Sequence, residues 1–297
     1  MVGKNLINHS SAKKYSILKP NSQELNLLSK ENILSWIKRY KIDTVIHCAG
    51  LVGGIQANIN NPNEFLFQNL QMGINLVDAC FKTGIKNIIN LGSSCMYPKN
   101  INHSIDESQL LCGKLEKTNE GYAIAKISVA KYCELISNKN KIFNYKTLIP
   151  CNIYGKYDDF SLDGSHMIPG VIARMFRAKQ EQEKIIEIWG DGTARREFMY
   201  AEDLADGIWF CVKNIQVIPS LLNIGIGKDF SIIEYYKEIA KSIGYDGEFI
   251  FDTSKPTGMK KKLIDSTKIN KLGWEPKFSL SEGITKTYNY YIEEIKN

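Results

Sequence analysis

Tyr122 and Lys126 stand four residues apart in the run Tyr122-Ala123-Ile124-Ala125-Lys126. On a helix that spacing puts both side chains on one face. A lysine ammonium beside a phenol favours the phenolate, so such a tyrosine can pass a proton near neutral pH. Upstream, the apolar run Asn87-Ile88-Ile89-Asn90-Leu91 leads into Gly92-Ser93-Ser94-Cys95. A serine at that strand end can hydrogen-bond the same carbonyl oxygen that the tyrosine protonates. Ser93, Tyr122 and Lys126 together suit hydride transfer between a nicotinamide and a carbonyl or alcohol. Cys95 is one of seven cysteines, an odd number with no C-x-x-C pair. Neither a disulfide framework nor a metal site is expected, and most of these thiols read as buried and reduced. A second cluster is cationic. Four of the five arginines, Arg174, Arg177, Arg195 and Arg196, fall within a short stretch, and guanidinium is the better bidentate ligand for phosphate.

The elements that must position these groups read as alternating strands and helices. Tyr15-Ser16-Ile17-Leu18 reads as a short strand stopped by Pro20, and Ser29 as the cap of a helix with Ile33, Leu34, Ile37 and Tyr40 on one face. Thr44-Val45-Ile46-His47-Cys48-Ala49 reads as a buried strand, 65–83 as a helix closed by Gly84, and 87–91 as the next strand. A helix over 122–136, a strand over 146–149 and one more over 221–226 follow. Strands separated by helices predict a parallel α/β sheet, whose ligands bind beyond the carboxyl ends of the strands. The loops after Ala49, Leu91 and Ile149 share that edge. Beyond Gly155 the rhythm loosens into a smaller portion, mostly helical from Ile232 with a break over 249–258.

Bulk properties narrow the class further. The 297 residues are 43% hydrophobic and 24% charged, enough to bury a core without staples. No stretch approaches the roughly 18–20 apolar residues of a membrane helix. The start, MVGKNLINHSSAKK, lacks a secretory apolar region. A cytoplasmic protein without membrane attachment is expected. The net charge of +6 comes largely from scattered lysines, a solvated surface with weak attraction for anions. No RNA- or DNA-binding motif accompanies it, so nucleic acid is not an expected partner.

Several blocks carry a resemblance. They are Val52-Gly53-Gly54-Ile55, Leu91-Gly92-Ser93-Ser94-Cys95-Met96-Tyr97-Pro98, Asn119-Glu120-Gly121-Tyr122-Ala123-Ile124-Ala125-Lys126, Asn152-Ile153-Tyr154-Gly155, Ser165-His166-Met167-Ile168-Pro169, and Trp189-Gly190 through Arg196-Glu197-Phe198. In this order they resemble the extended short-chain dehydrogenase/reductases that act on nucleotide sugars, and within them the GDP-L-fucose synthase family. The resemblance implies a Rossmann-type doubly wound parallel sheet with a smaller C-terminal α+β substrate-binding portion. It assigns 1–155 and about 200–235 to the NADP-binding domain, and 156–199 and 236–297 to the substrate domain. It implies NADPH-dependent 3,5-epimerisation and 4-reduction of GDP-4-keto-6-deoxy-D-mannose to GDP-L-fucose by a homodimer. Cys95 is then the base and His166 the acid. Tyr122 supplies the proton of the reduction, Lys126 tunes Tyr122 and holds the nicotinamide ribose, and Ser93 polarises the carbonyl. A thiolate beside a cationic site has a lowered pKa, and a histidine can be an acid near neutrality. The cofactor-binding set is Gly3, Leu91, Gly92, Ser93, Ser94, Lys126, Pro150, Cys151, Asn152, Ile153 and His166. The substrate-binding set is Arg174, Trp189, Arg196 and Thr257.

The chain departs from the family in two places. Met1-Val2-Gly3 matches only the last part of the family's glycine-rich turn, and the first strand is absent. The expectation is a misplaced start, because the blocks downstream keep their catalytic residues. Loss of that strand would leave its neighbours' backbone groups unpaired, and part of the NADP-selecting segment goes with it, although Lys19 can meet a 2′-phosphate. Thr257 stands where the family has aspartate, which leaves a hydrogen bond without charge. A related GDP-4-keto-6-deoxy sugar such as a heptose is therefore an alternative substrate, and a truncated non-catalytic nucleotide-sugar binder an alternative role.

Overall fold

Four short apolar runs line up side by side in the computed structural model, which describes residues 1–101, 103–161, 164–255 and 258–296. The chain begins with α1 (Val2–Asn8), α2 (Lys30–Ile37), β1 (Thr44–His47), α3 (Ile55–Asn60), α4 (Pro62–Thr83), β2 (Asn87–Leu91), α5 (Glu120–Lys139), β3 (Asn144–Pro150) and β4 (Asn152–Tyr154). It continues with α6 (Met167–Gln180), β5 (Ile185–Trp189), β6 (Arg195–Arg196), β7 (Phe198–Tyr200), α7 (Ala201–Lys213) and β8 (Leu221–Ile224). Last come β9 (Phe230–Ser231), α8 (Ile232–Ile243), β10 (Glu248–Asp252), β11 (Lys261–Lys262), α9 (Thr267–Lys271) and α10 (Leu280–Lys296).

The main sheet runs β1-β2-β3-β8, all parallel. The register Leu91↔Leu148 and Pro150↔Ile224 aligns the carboxyl ends along one edge. Successive strand residues face opposite ways. Ile88 enters a core with Ile33, Val77, Cys80 and Val129 from α2, α4 and α5. Its neighbour Ile89 enters another core with Leu6, Leu204 and Ile208 from α1 and α7. Helices thus cover both faces, and the fold is Rossmann-like.

Helix limits follow local chemistry. The Ser29 hydroxyl accepts from the Asn32 N–H at 3.2 Å and starts α2. Pro62 opens α4, whose missing N–H costs nothing there, and Gly84 closes it in the left-handed region at φ 79°. A third core joins Tyr154, Ile168, Ile172, Ile186, Ile188, Tyr235, Ile239 and Ile284 beyond the sheet.

Tyr15-Ser16-Ile17-Leu18, expected as a strand, forms no ladder. Tyr15 instead stacks on Trp209 at 4.7 Å. A strand needs a neighbour with free backbone groups, and among the described residues only β2 pairs with β1. The non-helical break expected over 249–258 holds β10, paired in parallel with β5 through Asp252↔Trp189. Among the described residues no helix is long and apolar enough to cross a membrane, and no cluster of His, Cys, Asp and Glu could hold a metal. All seven cysteines are unpaired.

Candidate active site

At the end of β2 the chain turns sharply. Gly92 is needed there, because a Cβ would stand 2.8 Å from the Met96 sulfur and 3.2 Å from Thr147 Cγ2. A single tight helical turn, Ser94–Met96, follows, with Ser93 as its cap. The Ser93 hydroxyl accepts from the Cys95 N–H at 3.2 Å. Ser93 and Cys95 are thereby presented beyond the carboxyl end of the central strand.

The first turns of α5 bring Tyr122 and Lys126 to the same place. Lys126 Nζ donates to the Leu91 carbonyl at 3.0 Å and lies 5.7 Å from the centre of the Tyr122 ring. Lys126 is only 7% exposed. Burial pulls its ammonium down to about 8, with Cys48 opposing. For Tyr122, burial and the neighbouring Cys95 push the phenol above its ordinary value, while a hydrogen bond with Ser93 pulls it back. The sequence predicts a phenolate favoured by lysine. In the structure burial is the leading influence on this phenol and favours its protonated form, the state that a proton donor needs.

The loop after β1 closes over this group. Buried Asn69 accepts from the Leu51 N–H and donates to the Leu51 carbonyl, both at 3.0 Å. A Cβ at Gly50 would stand 3.6 Å from Lys126 Nζ, and one at Gly54 3.2 Å from the Ser165 carbonyl oxygen. That contact brings the segment carrying His166 to the sheet edge. His166 caps α6. Its Nδ1 lies 3.7 Å from Asp158 Oδ1, and among the described residues its ring makes no hydrogen bond to Cys95 or Tyr122.

Cys95 has two polar neighbours that sequence reading missed. Asn119 Nδ2 donates to its sulfur at 3.1 Å and Lys262 Nζ at 3.4 Å. Asn119 belonged to a conspicuous block, but Lys262 ends a plain lysine run with nothing to mark it. Lys262 is paired with Arg196 in the β11–β6 register. Arg196, half-buried, feels Cys95 and Glu116, while burial lowers its guanidinium from the usual value. Its carbonyl accepts from the Tyr235 hydroxyl at 2.9 Å. The next residue on α8, Tyr236, accepts from Arg174 Nη2 at 2.5 Å. Arg174 Nε is buried without a hydrogen-bond partner among the described residues. Trp189 ends β5 half-exposed, with Lys255 Nζ 5.8 Å from its ring centre. Thr257 lies outside the described residues.

The expected cofactor residues line the same edge. Gly3 sits in the first turn of α1, where a Cβ would stand 4.0 Å from Cys48 Cβ just past β1. Leu91 and Pro150 end β2 and β3. The Cys151 N–H donates to the Ile224 carbonyl at 3.2 Å. Asn152 and Ile153 open β4, with Asn152 Nδ2 on the Glu197 carbonyl at 2.9 Å. The edge suits a dinucleotide. Lys126 is a buried ammonium whose recorded hydrogen bond goes to a neutral carbonyl, and it has further N–H groups for a ribose. Gly50 keeps space in front of it.

Glu197 is the other residue that the sequence did not reveal. It is 1% exposed. Its Oε1 accepts from the N–H groups of Ile226 and Gly227 at 2.7 and 2.9 Å, and its Oε2 from Ile264 at 3.0 Å. Burial pushes the carboxyl up to about 7 against the pull of those donors.

Comparison with known proteins agrees with this geometry. The pattern of the NAD dependent epimerase/dehydratase family matches residues 1–225. The chain is 52% identical over its whole length to the GDP-L-colitose synthase of Yersinia pseudotuberculosis, spanning 96% of that protein. It is 46% identical over 98% of its length to the GDP-L-fucose synthase of Azorhizobium caulinodans, spanning 93% of that protein. Among solved structures, a GDP-6-OMe-4-keto-L-xylo-heptose reductase from C. jejuni superposes with a TM-score of 0.91 at 28% identity, over 99% of this chain and 95% of that one. The chain belongs to the NAD dependent epimerase/dehydratase family, within the group that contains the GDP-L-colitose and GDP-L-fucose synthases.

Proposed function

We propose that the chain inverts carbons 3 and 5 of GDP-4-keto-6-deoxy-D-mannose and reduces carbon 4, giving GDP-L-fucose. It is a GDP-sugar epimerase/reductase, and NADPH is its reductant. The observation that carries the reading is the grouping of Ser93, Cys95, Tyr122 and Lys126 around the end of β2, where the phenol senses the neighbouring Cys95.

A ketone at carbon 4 acidifies the protons on carbons 3 and 5. Cys95, as thiolate, takes one such proton and leaves an enolate. His166, oriented by Asp158, returns a proton to the opposite face, and the centre is inverted. In the reduction Ser93 polarises the carbonyl and Tyr122 gives its phenolic proton to the oxygen. NADPH, when bound, supplies the hydride to carbon 4. Lys126 holds the nicotinamide ribose, and Gly3, Leu91, Gly92, Ser94, Pro150, Cys151, Asn152 and Ile153 line the cofactor. Arg174 and Arg196 hold the pyrophosphate, Arg174 through the Nε left without a partner. Trp189 offers an aromatic face to sugar or base. The reading keeps a cofactor domain of 1–155 with about 200–235, and a substrate domain of 156–199 with 236–297. It also keeps a homodimer in the cytoplasm, which the exposed Phe67 of α4 and Ile124 and Leu135 of α5 support as apolar surface for a second copy.

A second reading has a specific observation behind it. The relative at 52% identity is a GDP-L-colitose synthase, and colitose lacks the 3-hydroxyl of fucose. The test is incubation with GDP-4-keto-6-deoxy-D-mannose and NADPH in deuterated water. GDP-L-fucose carrying deuterium at carbons 3 and 5 is expected. A reduced product without deuterium would leave a reductase alone. At least tenfold preference for the 3-deoxy ketone would favour the colitose substrate, and preference for a heptose ketone the heptose one. Sugar binding without NADPH oxidation would leave only a binder.

A further inference from the structure

We infer that Lys262, together with Asn119, holds the Cys95 sulfur as a thiolate, making Lys262 a positioning residue for the proton abstraction. The inference rests on the reading of Cys95 as the base. Its ground is the donor set at the sulfur. Two N–H donors converge on Sγ, one of them an ammonium, at 3.1 and 3.4 Å. A thiol is a weak acceptor and gains little from two donors, whereas a thiolate is stabilised by both.

The fold aims Lys262 specifically. Successive residues of a strand point to opposite sides. Within the run 260–262, Lys261 turns to Asp229 at 3.5 Å and Lys262 turns to Cys95. The β11–β6 register sets Lys262 beside Arg196, a second cation that senses Cys95. Glu197 secures the pairing from the other end, because its Oε2 accepts the N–H of Ile264, two residues beyond Lys262. Among the described residues the amide of Asn119 and the ammonium of Lys262 contact the sulfur, and the guanidinium of Arg196 and the phenol of Tyr122 sense it. Glu116, the cap of the turn that carries Asn119, is the acidic group sensed by Arg196. Among the described residues two cations, Lys262 and Arg196, are directed at the sulfur or sense it. In each abstraction Cys95 enters as S⁻, takes the proton from carbon and becomes S–H, while the electron pair of the broken C–H bond stays on the sugar as enolate. Lys262 keeps its proton throughout.

The test needs no sugar. Alkylation of the full-length chain by iodoacetamide is followed as a function of pH, with Cys95 read apart from exposed Cys112 by peptide mass spectrometry. In the native chain Cys95 is expected to react faster than exposed Cys112 near pH 7, and the midpoint of its pH profile is the reference for the variants. Lys262→Met is expected to raise it by about one unit or more, slowing the reaction near pH 7 about tenfold. Lys262→Arg, which keeps the charge, is expected to return the midpoint to within about half a unit of the native one. An unchanged midpoint in Lys262→Met, or no rescue by arginine, would overturn the inference. If the methionine variant does not fold by circular dichroism, Lys262→Gln, which keeps an N–H but no charge, is read against the same criteria. Since the readout is the thiol itself, a chain that turns over no GDP-sugar would sink the proposed reaction and leave this result standing.

Discussion

Cys95 and Tyr122 occupy one site yet serve different steps, so single-atom changes should separate them. Replacing the Cys95 sulfur by the hydroxyl of serine removes an ionisable base but keeps a group of similar shape beside Asn119 and Lys262. Cys95→Ser is expected to cut deuterium wash-in at carbons 3 and 5 by about 10²-fold or more, the range of a lost general base. Reduction of an already epimerised ketone should change by less than about tenfold. Tyr122→Phe removes the phenolic proton and is expected to do the reverse. Equal loss of both steps in both variants would contradict the division of labour. Wash-in followed by NMR and NADPH oxidation followed by absorbance decide it. At this scale the sequence was informative about partners and silent about burial. The i, i+4 spacing of Tyr122 and Lys126 was legible because a helix fixes it. The environment of Tyr122 was not, because it depends on burial, with Phe65 of α4 set edge-on to its ring, and on Cys95 and Ser93. Lys262 was hidden for a related reason. Only the side of β11 to which it turns, toward Cys95 rather than Asp229, distinguishes it from Lys261.

Among the elements, the short strands at the sheet edge depend on one buried carboxyl group. Glu197 follows β6 and binds the backbone after β8 and just past β11. Glutamine in its place puts an NH₂ group against at least one backbone N–H. The resulting unmet donor costs ~1–3 kcal/mol. A chain of this size then loses roughly 2–5 °C in Tm. The pH dependence carries a sign. Burial raises the folded-state value from 4.5 to about 7, so between these limits the folded chain binds more protons than the unfolded one. The stability that Glu197 contributes is fully present below pH 4.5 and falls as the pH rises through about 7. Glu197→Gln lacks that slope. The difference in Tm between the two proteins should therefore be larger near the acid end of the window than above it, in thermal melts followed by circular dichroism. A gap that widens with pH would count against the buried carboxyl. Elements with their own chemistry were legible from sequence, such as β2 and the stop of α4 at Gly84. Tyr15-Ser16-Ile17-Leu18 shows the limit, since an apolar run becomes a strand only where another strand offers hydrogen bonds. The β10–β5 pairing was likewise out of reach, because it joins segments separated by α8.

Across the whole molecule the charge is modestly positive, and its placement matters more than its sum. Most of the net charge of +6 is scattered lysine. Near the proposed substrate path several cations are already matched. Arg195 and Lys261 share Asp229, and Arg195 also reaches Glu234. Arg174 makes its side-chain bond to a neutral tyrosine, and its Nε is buried without a partner among the described residues. Lys262 meets a sulfur. In the proposed reading Arg174 is thus the cation left to meet a GDP-sugar pyrophosphate, set into a surface that salt otherwise screens. Raising salt from about 0.1 M to about 1 M shortens the Debye length from ~10 Å to ~3 Å. Attraction of the dianion over distance is then lost, while contacts made after docking are screened much less. KM for the GDP-sugar is accordingly expected to rise by about threefold or more across that range, with kcat changing by less than about twofold. Exchanging the surface lysines Lys13 and Lys14 for glutamine should leave the slope unaltered, because they lie on an exposed turn after α1. Exchanging Arg174 for methionine should flatten it. A salt-independent KM in the native chain, or equal slopes in the native and Arg174→Met proteins, would place the pyrophosphate elsewhere on the surface.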